Sequence, residues 1–594
     1  MIMNKDKYIS TSDLSRILGI TRQAIQKLSK DWHGVEIKEV GSSFLYNVDT
    51  LPKDIKERIT VAQKEATKNV ILLSQKPSKE LDFEKELWKA ADKLRGNIDP
   101  SEYKYIVLGL IFLKYVSDAF YQRKDELEKL VSDPKGASFI RDESSRKYYL
   151  EQKDPYRSLG IFYIPEKARW DYLQKYTMYP DVGNYLDEAL EAIEEENPTL
   201  KGILPKVYSR TPLEGHTLGE LINLFSKIKF DHYFDEEKDI LGRVYEYFLG
   251  QFASAEGKRG GEFYTPRSIV KLLVEILEPH EGARIFDPAC GSGGMFVQSG
   301  EFLRIHQNDP TKISFYGQEL NINTWRLCKM NLALRGMEGQ IEQGNSYYDN
   351  KFSDFRFDFV LSNPPFNADW DPKRLSDKDP RLKYGIPPAT NANFMWIQHF
   401  IYHLAPNGMA GFVMANGALA VGGREGEIRK KIIEDDLVDV IIACPPKLFY
   451  NVSLPVSLWF LTKNKKNGRF RNRTGETLFI DAREIFEPVS RKQVVFTDEQ
   501  IQKIANTVRA WRGEEGFGKY EDILGFCKSA TLEEIIKNSY VLTPGRYVGV
   551  KEEKDDGVPF EEKMEKLTTE LKEYFKQNHD LEEKIIENLK KINF

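Results

Sequence analysis

Between residue 262 and about residue 485, short β-rich runs alternate with helical stretches, and this alternation limits the fold more than any other feature of the chain. The runs are Arg284–Asp287, Ile313–Gly317, Phe357–Leu361, Gly411–Met414, Val438–Ile442 and Val456–Leu461. Strands joined through helices pair in parallel, because a parallel pair needs a long crossover while an antiparallel pair closes through a hairpin. The pattern predicts an α/β fold with an open, largely parallel sheet.

The flanks read differently. At about 150 residues per domain, a chain of 594 residues has room for three to five domains. Residues 1–60 form a small module of their own. Thr11-Ser12-Asp13 offers a helix N-cap, Leu14, Ile17 and Leu18 repeat at helical spacing, and Gly19 turns the chain into a second helix with Ala24, Ile25 and Leu28. Two short strands between Val35 and Val48 follow, around Gly41-Ser42-Ser43. Arg22, Gln23 and Gln26 would project from the second helix as base-reading side chains do. A small helical interaction domain fits the same pattern. Residues 61–80 are polar and read as a linker. Residues 81–255 are helical, with an apolar helix from Leu108 to Phe120, and the Gly257–Gly261 segment breaks that pattern. Residues 256–485 hold the sheet, and 486–555 a mixed extension. Residues 556–594 predict a long helix with a seam of Phe560, Leu567, Tyr574 and Leu581 beside Met564, Leu571, Ile585 and Ile592. Such a seam packs on the parent domain or on a partner helix, and its reach to the last residues favours the partner.

Composition narrows the function. The most apolar run, Val107–Leu113, stops at Lys114, far short of the roughly 18 residues a membrane span needs. Met1–Asp6 carry no apolar signal segment. No membrane role and a cytoplasmic setting are therefore expected. The 86 basic and 91 acidic residues leave a net charge of −5, so no global basic field grips nucleic acid. Cys290, Cys328, Cys444 and Cys527 lie far apart and the eight histidines form no ligand-spaced cluster, so no metal site is expected.

Three segments carry chemistry. The first, Asp287-Pro-Ala-Cys-Gly-Ser-Gly-Gly-Met-Phe296, follows a strand and leads into a helix. Glycines at such a turn (Gly291, Gly293, Gly294, with Ser292 between) let a ligand approach the backbone. Asp287 at the strand end repels a pyrophosphate and welcomes an ammonium or sulfonium group, which points to S-adenosylmethionine rather than a dinucleotide. Next comes Glu319, which closes the second strand 28 residues beyond Gly291. An acid there accepts hydrogen bonds from ribose hydroxyls, although alone it would read as a surface glutamate. Last, Asn363-Pro364-Pro365-Phe366 lies 76 residues beyond Asp287 and ends what would be the fourth strand, beside the first. The Asn363 side-chain carbonyl and the Pro364 carbonyl, held rigid by the prolines, can accept both protons of an exocyclic amine. Phe366 offers a stacking face. Alone, the tetrapeptide could be a surface turn; with the glycine loop upstream it reads as a site.

These motifs resemble those of amino-directed DNA methyltransferases of the adenine-N6 type. Gly261-Glu262-Phe263-Tyr264-Thr265-Pro266-Arg267 is similar to a segment of the modification subunits of type I restriction-modification systems that closes over the cofactor's methionine end. The helical region and Tyr540–Tyr547 resemble that family too. The resemblance implies a Rossmann-like methyltransferase sheet, with S-adenosylmethionine as cofactor. It implies that Glu262 to Arg267, Asp287, Gly291 to Gly294 and Glu319 hold that cofactor, and that Asn363, Pro364, Pro365 and Phe366 handle a flipped adenine. Asn345 stands where many relatives carry Asp beside the cofactor's adenine. The implied partners are DNA, a specificity subunit, a second modification subunit and a restriction subunit. The N-terminal module weakly resembles the winged-helix domain of Mu-type transposases and repressors and lies outside the usual modification subunit. Other readings stay open: methylation of cytosine N4, whose enzymes usually carry Ser in place of Asn363, of RNA or of a protein glutamine; or a non-enzymatic DNA-binding regulator resting on residues 5–58.

Overall fold

The computed structural model describes residues 82–227 and 240–550, with gaps at 97, 257–264, 307, 377, 450–454 and 491–492, and scattered positions within 8–56 and 564–582. Near the N-terminus, β1 (Tyr8–Ser10), β2 (Ile37–Val40) and β3 (Ser43–Asn47) form a small antiparallel sheet in the order β1-β3-β2. β2 and β3 are the expected hairpin, while β1 was not foreseen. Of the expected helices, Ile25 and Lys27 are helical. Arg22, Gln23 and Gln26 lie outside the described residues.

The helical region is built on α1 (Asp82–Arg95), α2 (Pro100–Ser132), α3 (Val182–Glu196), α4 (Gly215–Ser226) and α5 (Ile240–Glu256). α2 starts at Pro100 because the Asp99 side chain accepts from the Ser101 amide and proline has no amide to orphan. From Tyr103 to Phe120 almost every residue of α2 is buried. No helix among the described residues is long and apolar enough to cross a membrane. The buried length is covered by protein instead: α2 shares one apolar core with Leu186, Leu221 and Phe248.

The nine-stranded central sheet runs in the order β14-β11-β9-β10-β8-β7-β4-β5-β6. Its strands are β4 (Arg284–Asp287), β5 (Ser314–Glu319), β6 (Gly339–Gln343), β7 (Phe357–Ser362), β8 (Leu404–Ala415), β9 (Val438–Ala443), β10 (Val456–Thr462), β11 (Glu476–Asp481) and β14 (Cys527–Thr531). A separate hairpin joins β12 (Glu487–Ser490) to β13 (Gln493–Val495). β4, β5, β6, β7 and β8 pair in parallel, as does β11 with β9, whereas β10 runs antiparallel between β8 and β9. The chain steps outward from β4 to β5 and β6, then returns to β7 on the other side of β4. Ligands bind at such a reversal, beyond the carboxyl ends of the strands. Glu319 ends β5, and Asn363 follows β7 directly.

Side chains alternate between two cores. Ile285, Phe359 and Leu458 pack under α6 (Arg267–Leu277), α7 (Gly294–Ile305), α8 (Ile322–Leu334) and α11 (Asp498–Arg512). Phe286, Val360 and Trp459 pack under α9 (Asn393–His403) and α10 (Gly423–Glu434). The boundary read at residue 485 does not part this sheet. Residues 498–531 add α11 and β14 to it, and Arg509 on α11 bonds Glu275 Oε2 (2.8 Å) and Glu278 Oε1 (2.6 Å) at the end of α6. The helical region docks on α8, whose Leu327, Met330 and Leu334 join its core. Arg335 and Glu246 pair at 3.2 Å across that junction. Of the C-terminal seam, Met564, Leu567 and Leu571 are described, and each is about half exposed. The other seam positions, including Phe560, Tyr574, Leu581, Ile585 and Ile592, lie outside the described residues.

Candidate active site

The glycine loop leaves β4 and turns into α7 with Gly291 at φ 54° and Gly293 at φ 82°, a left-handed path that side chains resist. At Gly293 a Cβ would also come within 2.9 Å of Cys328 Sγ. At Gly291 and Gly294 it would meet no protein atom within 4 Å, and both residues border a cavity. A side chain there would fill ligand space.

Two carboxylates tie this loop to the sheet. Asp287, 1% exposed, accepts from the Ala289 amide (3.0 Å) and from Ser362 Oγ on β7 (2.7 Å). Burial pushes its carboxyl up to about 7, those two bonds pull the other way, and the charge of Glu319 adds to the rise. Glu319 Oε2 accepts from the Gly291 amide (3.0 Å) and Oε1 from the Asn321 amide (2.9 Å). After β6, Asn345 Oδ1 accepts from the Tyr347 amide (2.9 Å), and Ser346 Oγ donates to the Pro288 carbonyl (2.6 Å), which joins this turn to the glycine loop.

In the tetrapeptide, Asn363 Nδ2 donates to Thr265 Oγ1 at 2.9 Å, 98 residues away in the chain. Asn363 Oδ1 is buried and has no hydrogen-bond partner among the described residues. An unpaired buried acceptor costs about 1–3 kcal/mol, so it is a site in want of a donor. Pro364 is buried. Phe366 is half-buried and meets Phe449 edge-on at 6.5 Å. Just beyond, Asn367 (φ 52°) and Asn393 exchange two hydrogen bonds of 2.9 Å, closing the base of the loop between β7 and α9.

One cavity of about 400 Å³ gathers Thr265, Asp287, Gly291, Ser292, Gly294, Glu319, Asn345, Asn363 and Pro365. Pro266, Arg267, Gly293, Pro364 and Phe366 do not line it: Pro266 and Gly293 cap α6 and α7, and Arg267 is exposed on the first turn of α6. Glu262, Phe263 and Tyr264 lie outside the described residues.

The wall holds residues that sequence reasoning missed. Lys104 on α2 and Leu249 and Phe252 on α5 reach the cavity from the helical region. Lys104 stands just before the apolar run of α2, which ends at a second buried lysine, Lys114, so no local pattern singled it out. Tyr347 and Trp396 add aromatic walls, their ring centres 4.7 Å apart. Behind them Arg381, 5% exposed, donates to the carbonyls of Ser346 (2.8 Å) and Tyr347 (2.7 Å) and pairs with Asp379 (2.7 Å). No local pattern announces Arg381, since its partners are 34 and 35 residues away.

The family model described as N-6 DNA Methylase matches residues 236–556, and that of the HsdM N-terminal domain matches residues 83–225. The chain is 50% identical over 522 residues to the type I restriction enzyme MjaIX methylase subunit of Methanocaldococcus jannaschii, covering 86% of this chain and 92% of that one. It is 47% identical over 449 residues to the HindI methylase subunit of Haemophilus influenzae, covering 72% and 99%. The crystal structure of the type I restriction-modification system methyltransferase subunit from Streptococcus thermophilus superposes with a TM-score of 0.66 at 28% identity, covering 79% of this chain and 99% of that one. The cofactor is S-adenosylmethionine. The cavity fits it: a glycine cradle for close backbone approach, carboxylates for a cation and for hydroxyls, and a buried acceptor left for a substrate amine. With a family model spanning over half of its length and a methylase subunit at half identity over most of both chains, this protein belongs to the N-6 DNA methylases, among the methylase subunits of type I restriction enzymes.

Proposed function

We propose that the cavity carries methyl transfer to the exocyclic amine of an adenine, with Asn363 as the residue that grips the amine. The observation that carries this reading is the Asn363 amide. Its nitrogen is committed to Thr265, and its oxygen is buried without a donor among the described residues, on the wall of the cavity formed by the glycine loop. An amine N–H satisfies that oxygen, and the Pro364 carbonyl accepts a hydrogen bond from the second N–H. Two acceptors in the plane of the base draw the nitrogen lone pair out of ring conjugation. Their fixed placement requires no reorganisation as charge shifts, which is where electrostatic acceleration arises.

When bound, S-adenosylmethionine supplies a methyl group on a positively charged sulfur. In this reading Asp287 faces its ammonium, Glu319 takes the ribose hydroxyls and Asn345 stands by its adenine. Gly291 and Gly294 let it lie against the backbone. Glu262, Phe263, Tyr264, Pro266 and Arg267 belong to the segment closing over the methionine end. Pro365 holds the turn rigid, and Phe366 keeps a face for the target base. That base has to leave the duplex, at a cost of a few kcal/mol. The specificity subunit supplies sequence choice, the exposed seam of the C-terminal helix is its dock, and a second methylase subunit and a restriction subunit complete the assembly. Residues 1–60 add a DNA-binding module to this plan.

Asn363→Ala tests the reading. Transfer of labelled methyl groups to duplex DNA, assayed with the partner subunits, should fall by at least about 100-fold, while calorimetric affinity for S-adenosylmethionine stays close to that of the unaltered chain. Normal methylation by the variant would refute it.

A further inference from the structure

The glycine loop is held from behind by a line of polar groups that begins in the helical region. Ser292 sits between Gly291 and Gly293, both left-handed, and the Gly293 amide is already bonded to the Cys290 carbonyl (2.8 Å). The Ser292 carbonyl is met from α8, where Asn331 Nδ2 donates to it at 2.9 Å. Asn331 is 1% exposed within α8, a helix interior where asparagine is a poor helix former and a buried amide is costly unless bonded. Its Oδ1 accepts from Arg335 Nη1, at the carboxyl end of the same helix. Arg335 Nη2 in turn pairs with Glu246 Oε1 on α5 at 3.2 Å, both side chains being largely buried. Glu246, Arg335 and Asn331 thus form one chain that ends on the loop. Ser292 lines the cavity, while those three side chains stand outside its wall.

We propose that Asn331 is a positioning residue for the cofactor loop, and that through it the docking of the helical region sets the affinity for S-adenosylmethionine. This rests on reading the glycine loop as the cofactor's cradle. A turn with two left-handed glycines loses more backbone freedom on being fixed than any other. A buried hydrogen bond on the residue between them resists the peptide rotations that would open the cradle. Arg335 decides which end of the amide does this. A guanidinium has donors only, so the Asn331 oxygen turns to Arg335 and the nitrogen is left for the Ser292 carbonyl. Coupling between two binding events is reciprocal. Bound cofactor therefore tightens the seat of the helical region on α8 by the same factor by which that seat tightens the cofactor.

Asn331→Asp keeps the acceptor for Arg335 and removes the donor to Ser292. Calorimetric affinity of the full-length chain for S-adenosylmethionine should fall by about tenfold, the weight of one buried hydrogen bond. In turnover with the partner subunits, KM for the cofactor should rise by that factor while kcat at saturation holds. Glu246→Gln, at the far end of the chain of bonds, should weaken the cofactor by about threefold alone and by nothing further in the Asn331→Asp background. Unaltered affinity in Asn331→Asp overturns the proposal, and so does a strictly additive double variant. Amide exchange on the unaltered chain tests it without any variant. Bound cofactor should slow exchange at residues 331–335 as well as at 290–294, and unchanged exchange at 331–335 overturns the proposal. Failure of the unaltered chain to bind S-adenosylmethionine removes the cradle itself, and Asn331's role with it.

Discussion

At Asp287 the chemistry of one carboxyl sets a pH dependence for the whole site. Its value in the fold, about 7, lies above that of an ordinary aspartate. Without ligand, the protonated form is therefore the one the fold favours, and that contribution to stability is lost as pH rises through about 7. A cationic ligand reverses the preference, because it needs the ionised form. Affinity for S-adenosylmethionine should climb by up to about tenfold per pH unit below about pH 7 and level off above it. Calorimetry between about pH 6 and about pH 8 checks this, and Asp287→Asn should bind weakly with a flat profile. The sequence made Asp287 and Asn363 legible because each stands in a local motif whose backbone needs are written in adjacent glycines and prolines. It did not show that Asn363 is held by Thr265, since a contact across 98 residues leaves no local trace.

Strand ends and turns are where local sequence loses its voice. β4 spans the residues expected of it, because its apolar side chains serve two cores at once. β6 was missed: it is an edge strand, Gly-Gln-Ile-Glu-Gln, with Ile341 its one buried side chain. β14 was missed for a similar reason, being polar and at the opposite edge. The loop between β7 and α9 is long, yet it is fixed by polar groups, with Asn367 and Asn393 at its base and Arg381 clipping it to the Ser346 and Tyr347 carbonyls. Arg381→Met would leave those carbonyls and the largely buried Asp379 without their partner, a loss of about 3 kcal/mol at this element. Amide exchange across residues 344–349 should quicken, and affinity for the cofactor should fall by about tenfold as the Asn345 turn loosens. Unchanged exchange there would show that the clip is dispensable.

The whole molecule places its site at a junction of layers. The helical region covers α8, α8 borders the cavity, and α2 and α5 complete the wall, so the cavity draws on both the helical region and the sheet domain. Met564, Leu567, Leu571 and Phe575 are apolar and exposed at helical positions, and a chain truncated from Val558 onward should bind S-adenosylmethionine normally yet fail to co-elute with the specificity subunit. Retained co-elution would place the dock elsewhere. By itself the sequence determined the sheet class, the glycine loop, the acid after the second strand and the Asn-Pro-Pro-Phe turn. Each is a short segment whose residue types suffice for its local geometry. Only the tertiary structure decided that a helix nearly two hundred residues before the glycine loop brings Lys104 to the same cavity, that residues beyond 485 complete the sheet, and that Thr265 bonds Asn363 while Arg381 clips the Ser346 and Tyr347 carbonyls. Those outcomes depend on which apolar faces bury one another, a property of the packed chain that no single stretch of it contains.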